Sequence, residues 1–360
     1  MARPSVKPGF YSLKRWRPVP CDRRAENLEN FLGASRMTRA RLEQEIHDAA
    51  GAECAAFVAG SITEGYSNAY SDLDVHVVRD AAATSLPLMV HVDSCRIDLA
   101  FHTRENTEKA LRTAAKAPVA GAGELTRKMW EHKRKAVSAA SRLTCSVPLY
   151  GQGTPWDVRL PAEVVRDGAA DWWRAEARRR LVAARLLATR FPRVAARRFH
   201  EAHSAFLEVL ATRCGEDYFG FKWLPEKLKR LGWTDDLAAF RDALRQSTKP
   251  VPDFDWFERR IEPLIARDQA DEKYSAVFSL APGVSLTRLA GQSLLSRWNM
   301  RAAGLSSALS GLVQEAVGRE DGILHTHHDW RDRDVPDGVV ELFSADFLWL
   351  GVGMREHRGR

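Results

Sequence analysis

The sequence contains few cysteines, and their arrangement excludes a disulfide scaffold. Five cysteines occur in 360 residues, and no two of them form a Cys-x-x-Cys pair. Disulfide frameworks use an even set of cysteines in a small secreted chain, and redox or metal motifs use close pairs. We therefore expect reduced thiols, of which Cys54 and Cys95 fall in predicted strands.

Long apolar runs are also missing. No run approaches the ~20 residues that a helix needs to cross a bilayer. Residues 1–24 are basic and interrupted by prolines, without the apolar stretch of a secretory signal. Internal repeats and low-complexity segments are absent as well. We expect a cytoplasmic protein without a membrane span.

The composition is that of an ordinary globular protein, with 45% apolar and 28% charged residues. A length of 360 residues allows two or three domains. The formal net charge is +7, and residues 171–230 alone contain 14 Lys and Arg against 7 Asp and Glu. A basic segment of this kind can hold a triphosphate or an anionic acceptor, although a solvated arginine-rich helix face has the same composition.

A Gly-Ser pair follows an apolar run that is short enough for a buried strand. Residues 54–59 form that run, and Gly60 and Ser61 end it. Glycine lets the backbone approach a phosphate, and a serine hydroxyl can donate to phosphate oxygens. We predict a helix over residues 63–68, whose first N–H groups would add partial positive charge. Together these features indicate a phosphate-binding loop.

A second strand carries acidic residues on one face. Because side chains alternate along a strand, Asp72, Asp74 and His76 are predicted to share a face. The apolar residues between them are predicted to face the core: Leu73, Val75 and Val77. Two carboxylates about 7 Å apart on one strand repel each other and raise each other's pKa unless a cation neutralises them. Mg²⁺, which prefers oxygen ligands, is the expected cation.

A third carboxylate lies in the segment 95–101. Because side chains alternate along a strand, the apolar residues Ile97, Leu99 and Phe101 are predicted to face the core, and Asp98 is predicted to face away from it. Residues 87–92 are predicted to be the partner strand, with Asp93-Ser94 as a tight hairpin turn. Asp98 can then lie beside the strand of Asp72 and Asp74. Three carboxylates at one place can hold two Mg²⁺ ions for in-line displacement at a phosphate.

These residues resemble the nucleotidyltransferase superfamily of DNA polymerase β. The resemblance consists of Gly60-Ser61, ten intervening residues, Asp72-x-Asp74 and the later Asp98, and it covers residues 36–104. It implies transfer of a nucleoside monophosphate from an NTP with release of pyrophosphate. Asp72, Asp74 and Asp98 would be the catalytic and metal-binding residues.

Within that superfamily the chain looks closest to the small-molecule and antibiotic nucleotidyltransferases. The resemblance implies that Gly60, Ser61 and Ser71 bind the nucleotide. Glu64 departs from the pattern because it places a carboxylate near the phosphate loop, and we expect it to point to solvent or to cap the predicted helix. The structural alternative to the whole site is an acidic strand edge beside a capped loop.

The segment 219–225 also resembles these enzymes. An aromatic-Lys-Trp-Leu sequence recurs in the helical domains of some small-molecule nucleotidyltransferases, where the lysine reaches the triphosphate. The resemblance therefore implies that Lys222 binds nucleotide. A lysine that extends its stem over buried aromatic side chains toward solvent is the alternative.

We predict an α+β fold: a nucleotidyltransferase core, with a mixed sheet flanked by helices, then a helical domain and a small C-terminal α+β appendage. The predicted boundaries are an N-terminal extension at 1–35, the nucleotidyltransferase domain at 36–118, a basic helical domain at 124–272 and the C-terminal domain at 274–360. His325-Thr326-His327-His328-Asp329 resembles a metal motif only superficially, because no second ligand cluster lies nearby, and we predict a polar loop there.

Two classes of function are compatible with the sequence. The first is a Mg²⁺-dependent enzyme that nucleotidylates a hydroxyl or a phosphorylated small molecule, in antibiotic modification or biosynthesis. The second is an RNA-directed or toxin-type nucleotidyltransferase, whose basic helical domain would hold a polyanion. Modest interleaving of aromatic and basic residues favours the small molecule. A non-catalytic binding module would bury three carboxylates without compensation, which is costly.

Overall fold

The computed structural model has an α+β architecture and describes residues 21–68, 71–81, 88–92, 95–115, 127–268, 274–298, 301–319, 322–327 and 335–354. The first part of the chain folds around a five-stranded mixed sheet with the order β3-β4-β2-β1-β5. Its strands are Ala55–Ala59 (β1), Leu73–Arg79 (β2), Leu88–Val92 (β3), Cys95–Thr103 (β4) and Val147–Tyr150 (β5). Strands β2 and β4 run parallel, whereas the other neighbours are antiparallel.

Helices cover both faces of this sheet. They are Cys21–Ala34 (α1), Arg39–Ala50 (α2), Arg104–Ala115 (α3) and Arg127–Thr144 (α4). Leu28 of α1 and Leu42 of α2 pack with Val75 on one face. Leu111 of α3 and Val137 of α4 pack with the opposite face of the sheet. The alternation predicted for β2 is therefore confirmed, because its odd-numbered residues are buried against α1 and α2.

The predicted hairpin between residues 87 and 98 is also confirmed in its strands. Val92 of β3 lies opposite Cys95 of β4, although Asp93 and Ser94 of the turn lie outside the described residues. Strand β5 was not expected, since it falls within the helical domain predicted at 124–272. It joins the sheet beside β1, where Pro148 at an edge position needs no backbone donor for the ladder.

A helical region follows the sheet. Its helices are Ala162–Leu187 (α5), Pro192–Arg213 (α6), Leu224–Arg230 (α7), Thr234–Ser247 (α8) and Phe254–Asp268 (α9), and a short 3₁₀ turn at Phe221–Trp223 precedes α7. The long helices α5 and α6 are buried along most of their length. None of the helices described here combines the length and apolar character that a membrane crossing requires.

The last part of the chain contains two three-stranded sheets, with the orders β10-β6-β11 and β7-β8-β9. Its elements are Tyr274–Leu280 (β6), Val284–Leu289 (β7), Gln292–Arg297 (β8), Arg301–Gly304 (β9), Ser307–Val317 (α10), Ile323–His327 (β10), Asp337–Ser344 (α11) and Leu348–Met354 (β11). His325 and His327 lie in a strand rather than in the predicted polar loop, because β10 pairs with β6.

Candidate active site

The parallel pairing of β2 and β4 brings two of the predicted carboxylates together. Asp74 and Asp98 are direct partners in the register of the two strands, and Asp72 lies immediately before β2. On the other side of β2, Asp74 is opposite Ala59, the last residue of β1. The predicted position of Asp98 beside Asp74 is therefore confirmed. The nucleotide and metal roles of these residues remain predictions.

Gly60 is required where it is because Asp74 lies against it. Its φ is +95°, and a Cβ built on it would approach Oδ2 of Asp74 to 2.4 Å. Left-handed backbone conformations favour glycine, and no side chain fits at this distance. The glycine thus lets the backbone after β1 pass directly over the Asp74 carboxylate.

We expect Gly60→Ala to damage both the fold and the site. The left-handed backbone costs a non-glycine residue roughly 1–2 kcal/mol, and the new methyl group must also displace Asp74. Gly153→Ala is the matched control, since Gly153 has a φ of +70° and open space around its Cβ position. Chemical unfolding should show a larger loss of stability for Gly60→Ala, and equal losses in the two variants would contradict the contact with Asp74.

The backbone after Gly60 forms consecutive turns and not the helix predicted over residues 63–68. The amide of Gly65 donates to the carbonyl of Ile62, and the amide of Tyr66 donates to the carbonyl of Ser61. Ser61 is half-buried at the start of these turns. Ser71 closes a later turn, in which its hydroxyl accepts a hydrogen bond from the amide of Asn68 at 3.0 Å.

Charge is concentrated around the three carboxylates. The guanidinium of Arg96 lies 3.4 Å from Asp72 and 3.2 Å from Asp98, so that it bridges two of them. Burial raises the pKa of Asp74, and the charges of Asp98 and Asp72 raise it further, while Arg142 and Lys222 oppose the rise. Asp74 is therefore held in a place that disfavours its negative charge unless a cation is close.

Two histidines lie deeper on the same face of the sheet. Nδ1 of His76 is 2.9 Å from Nε2 of His102, and the two rings stack. Burial, the neighbouring histidine and Arg142 lower the pKa of His76 to about 3. Burial and Arg142 also lower the pKa of His102, so both histidines are neutral at physiological pH and add no positive charge of their own.

Arg142 of α4 is a residue of this site that the sequence did not indicate. Its charge opposes the raised pKa of Asp74 and helps to lower the pKa values of His76 and His102, so Arg142 lies near these three side chains. Within the described ranges it has no carboxylate at salt-bridge distance. Nothing in the spacing of α4 marks it, because only the packing of the helix on the sheet directs Arg142 toward Asp74.

Lys222 is exposed in the 3₁₀ turn that precedes α7, and its Nζ lies 4.8 Å from the centre of the Trp223 ring. Its charge also acts on Asp74. Lys227 anchors this turn, because its buried ammonium donates to the carbonyl of Gly220 and to Glu208. The positive charge of Lys222 thus comes from the helical region, on a turn whose backbone is held in place.

Most of the basic residues in the segment 171–230 are neutralised within the protein. Twelve of the fourteen have an Asp or Glu side chain within 4 Å. Among the residues that the structure describes, Arg193 and Lys222 are the two without such a partner. Most of the positive charge noted in the sequence is therefore paired with carboxylates, and Lys222 is an exception whose charge acts on Asp74.

Glu64 is not at the surface as expected from the sequence. Its side chain is fully buried, and it forms ion pairs with Arg24 and Arg230. The expectation that it points to solvent or caps a helix was wrong, because two arginines distant in sequence enclose it. Its negative charge is consequently compensated inside the protein.

The chain matches no known family model and no curated protein. In the described ranges, no three His, Cys, Asp or Glu side chains are arranged as a metal site, and Asp72 and Asp98 bind Arg96. The donor chemistry nevertheless fits a hard divalent cation, since the three carboxylates supply only oxygen ligands.

Proposed function

We propose that the protein is a Mg²⁺-dependent nucleotidyltransferase of the DNA polymerase β superfamily. It would transfer a nucleoside monophosphate from an NTP to a hydroxyl or phosphorylated small molecule and release pyrophosphate. The observation that carries this proposal is the grouping of Asp74 and Asp98 in register, with Asp72 beside them and Gly60 against Asp74. The raised pKa of Asp74, caused by burial and by the two neighbouring carboxylates, supports a cation at this position.

Each group of residues has a separate role in the proposal. Asp72, Asp74 and Asp98 would hold two Mg²⁺ ions, and bound Mg²⁺ supplies stabilisation of negative charge on the phosphoryl oxygens. Ser61 would donate its hydroxyl to phosphate oxygens at the loop after β1.

The nucleotide is expected to lie between the sheet and the helical region. Arg142 and Lys222 bring positive charge to the carboxylates from two different elements, α4 and the turn before α7. A triphosphate bound to metal ions at the carboxylates would meet both cations. Charge-assisted contacts of this kind orient phosphates strongly when the cation has no internal partner.

Most cations of the helical region are paired with carboxylates, and this pairing favours a small acceptor over RNA. A polyanion-binding surface requires several free cations along a groove. Twelve of the fourteen basic residues at 171–230 are already close to carboxylates. The RNA-directed or toxin-type alternative therefore receives less support than the small-molecule enzyme.

The function is tested by incubating the protein with each labelled NTP and Mg²⁺, against panels of small-molecule acceptors and of RNA. Pyrophosphate release that requires a small-molecule acceptor would support the proposal. Release that occurs only with RNA would favour the alternative acceptor. Failure of the protein to bind any NTP in the presence of Mg²⁺ would contradict nucleotidyl transfer altogether.

Replacing Lys222 by Met is expected to weaken nucleotide binding without unfolding the protein. A lost charge-assisted contact costs about 1.5–3 kcal/mol, which raises the KM for NTP about ten- to a hundredfold. Arg142→Met should act in the same direction. Arg193→Met is the matched control, because Arg193 also lacks a carboxylate partner among the described residues. Steady-state kinetics decide the matter: an equal effect in all three variants would point to the overall charge rather than to this site.

A further inference from the structure

A buried charge cluster connects the loop after β1 to the helical region, and its centre is Glu64. The Glu64 carboxylate is 2.7 Å from Nε of Arg24 in α1 and 3.0 Å from Nη2 of Arg230 in α7. Its side chain has no exposed area, whereas that of Arg24 is 5% exposed and that of Arg230 is 15% exposed. One carboxylate of the loop is therefore held by two helices that are far apart in sequence.

Arg230 binds the loop at more than one point. Its Nη1 donates to the carbonyl of Glu64 at 3.1 Å, and its guanidinium also binds the hydroxyl of Tyr66. Nε of Arg230 donates to Glu216 at 2.7 Å, and the Tyr66 hydroxyl donates to the same carboxylate at 3.1 Å. Arg230 thus binds residues 64 and 66 of the loop and also Glu216, which follows α6.

The cluster reaches the turn that carries Lys222. The ring of Tyr66 stacks on the ring of Trp223, with the centroids 5.4 Å apart, and Trp223 is the neighbour of Lys222. On the other side of the loop, Asn27 of α1 donates to the carbonyl of Thr63 at 2.9 Å. The turns that follow Gly60 are therefore fixed from α1 and from α7 at the same time.

Burying several charges together is an inefficient way to gain stability. The desolvation of each ion offsets most of its attraction to its partner, and apolar side chains of similar volume stabilise as well or better. The cluster does link the segments that contribute to it through charge-assisted hydrogen bonds. Here those segments are the loop with Ser61 and the turn with Lys222, which are the two nucleotide-binding elements in the proposed function.

We propose that Glu64 and Arg230 are positioning residues for the nucleotide. They set the distance between the loop after Gly60 and the turn of Lys222, so that one triphosphate can contact both. This inference rests on the proposed function, because it assigns the two segments to one bound NTP. Neither residue needs to touch the nucleotide, and Glu64 acts only through the backbone of its loop and through Arg230.

The test compares Glu64→Gln with Asp268→Asn. Asp268 is the matched control because its side chain also has no exposed area and is held by Arg174, Arg178 and Arg213, none of which belongs to the candidate site. Both variants replace a buried carboxylate by an amide of the same shape, and both are expected to lower the melting temperature. Measurements are made well below either melting temperature.

Two measurements separate positioning from general stability. Titration with a non-hydrolysable NTP and Mg²⁺ should show a Kd raised about tenfold or more in Glu64→Gln and unchanged in Asp268→Asn, in line with the cost of losing an orienting partner. Amide hydrogen exchange should accelerate at Gly65 and Tyr66, whose amides form the loop turns, in Glu64→Gln alone.

The results distinguish this inference from the proposed function. If the parent binds NTP and Glu64→Gln binds it equally well, the positioning role is overturned while the function stands. Equal effects of the two variants on Kd also overturn it, because the cause is then general stability. If the parent binds no nucleotide, the proposed function fails. Amide hydrogen exchange at Gly65 and Tyr66 then still shows, without any nucleotide, whether Glu64 fixes the loop.

Discussion

Asp74→Asn is expected to lower kcat/KM for nucleotidyl transfer by more than about a hundredfold. Loss of an outer-shell partner of a metal ligand costs about ten- to a hundredfold, and Asp74 is a direct ligand in the proposed site. An amide has the shape of a carboxylate but lacks the negative charge that holds a divalent cation. Transfer should therefore fail while the side chain still fits against Gly60.

The same substitution should not lower the stability of the protein. Burial, Asp98 and Asp72 raise the pKa of Asp74, so that the folded state disfavours the ionised carboxylate relative to the unfolded chain. Above the unfolded pKa this difference opposes folding, and removal of the charge removes that opposition. In the absence of Mg²⁺ at neutral pH, the melting temperature of Asp74→Asn should be equal to that of the parent or higher.

Asp80→Asn is the matched control for this prediction. Asp80 is exposed and directly follows the far end of β2. The control therefore makes the same substitution at the other end of the strand that carries Asp74. Its transfer rate should remain within about twofold of the parent, as expected for a surface change outside the site. Parental turnover in Asp74→Asn would refute the metal assignment, and a lowered melting temperature would refute the electrostatic argument.

Asp98→Asn is expected to lower kcat by at least ~10²-fold, the lower end for losing a positioned general base. Asp98 is the register partner of Asp74 and shares Arg96 with Asp72, so it faces the same site from the neighbouring strand. It can hold the second Mg²⁺, accept the proton of the acceptor hydroxyl, or do both. Nucleotide binding should be largely retained through Asp72, Asp74 and Ser61.

The measurement for Asp98 pairs a titration with a non-hydrolysable NTP and single-turnover kinetics. Glu105→Gln serves as the control, since Glu105 is exposed at the start of α3, just after the opposite end of β4. Normal binding with slow chemistry in Asp98→Asn supports a role in the chemical step. Normal binding with normal turnover would reduce the site to Asp72 and Asp74.

The strand residues of the candidate site could be predicted from the sequence because strand alternation is a local property. Asp74 and Asp98 were assigned to the polar faces of their strands from neighbouring residues alone, and the register of β2 and β4 confirms that they lie side by side. Gly60 was recognised from its place after an apolar run. Its close contact with Asp74 became visible only when β1 and β2 were paired.

The local prediction failed where a residue depends on partners far along the chain. The expected helix at 63–68 is a series of turns, because the loop is held by Arg24 and Arg230. Residues 147–150 form a strand and not part of the predicted helical domain, since the edge of β1 offers hydrogen bonds that the local sequence does not reveal. In both places tertiary contacts override local preference.

Residue types and their spacing can be read from the sequence alone: a Gly-Ser turn, two acidic strands in order, and a lysine among aromatic residues. Which charges lack a partner inside the protein depends on the folded chain. Arg142 and Lys222 face Asp74 without carboxylate partners in the described part of the chain, whereas Glu64 is enclosed by Arg230, 166 positions away in sequence. The reason is that alternation along a strand extends over a few residues, while the neutralisation of a charge depends on whichever groups the folded chain brings within about 4 Å of it.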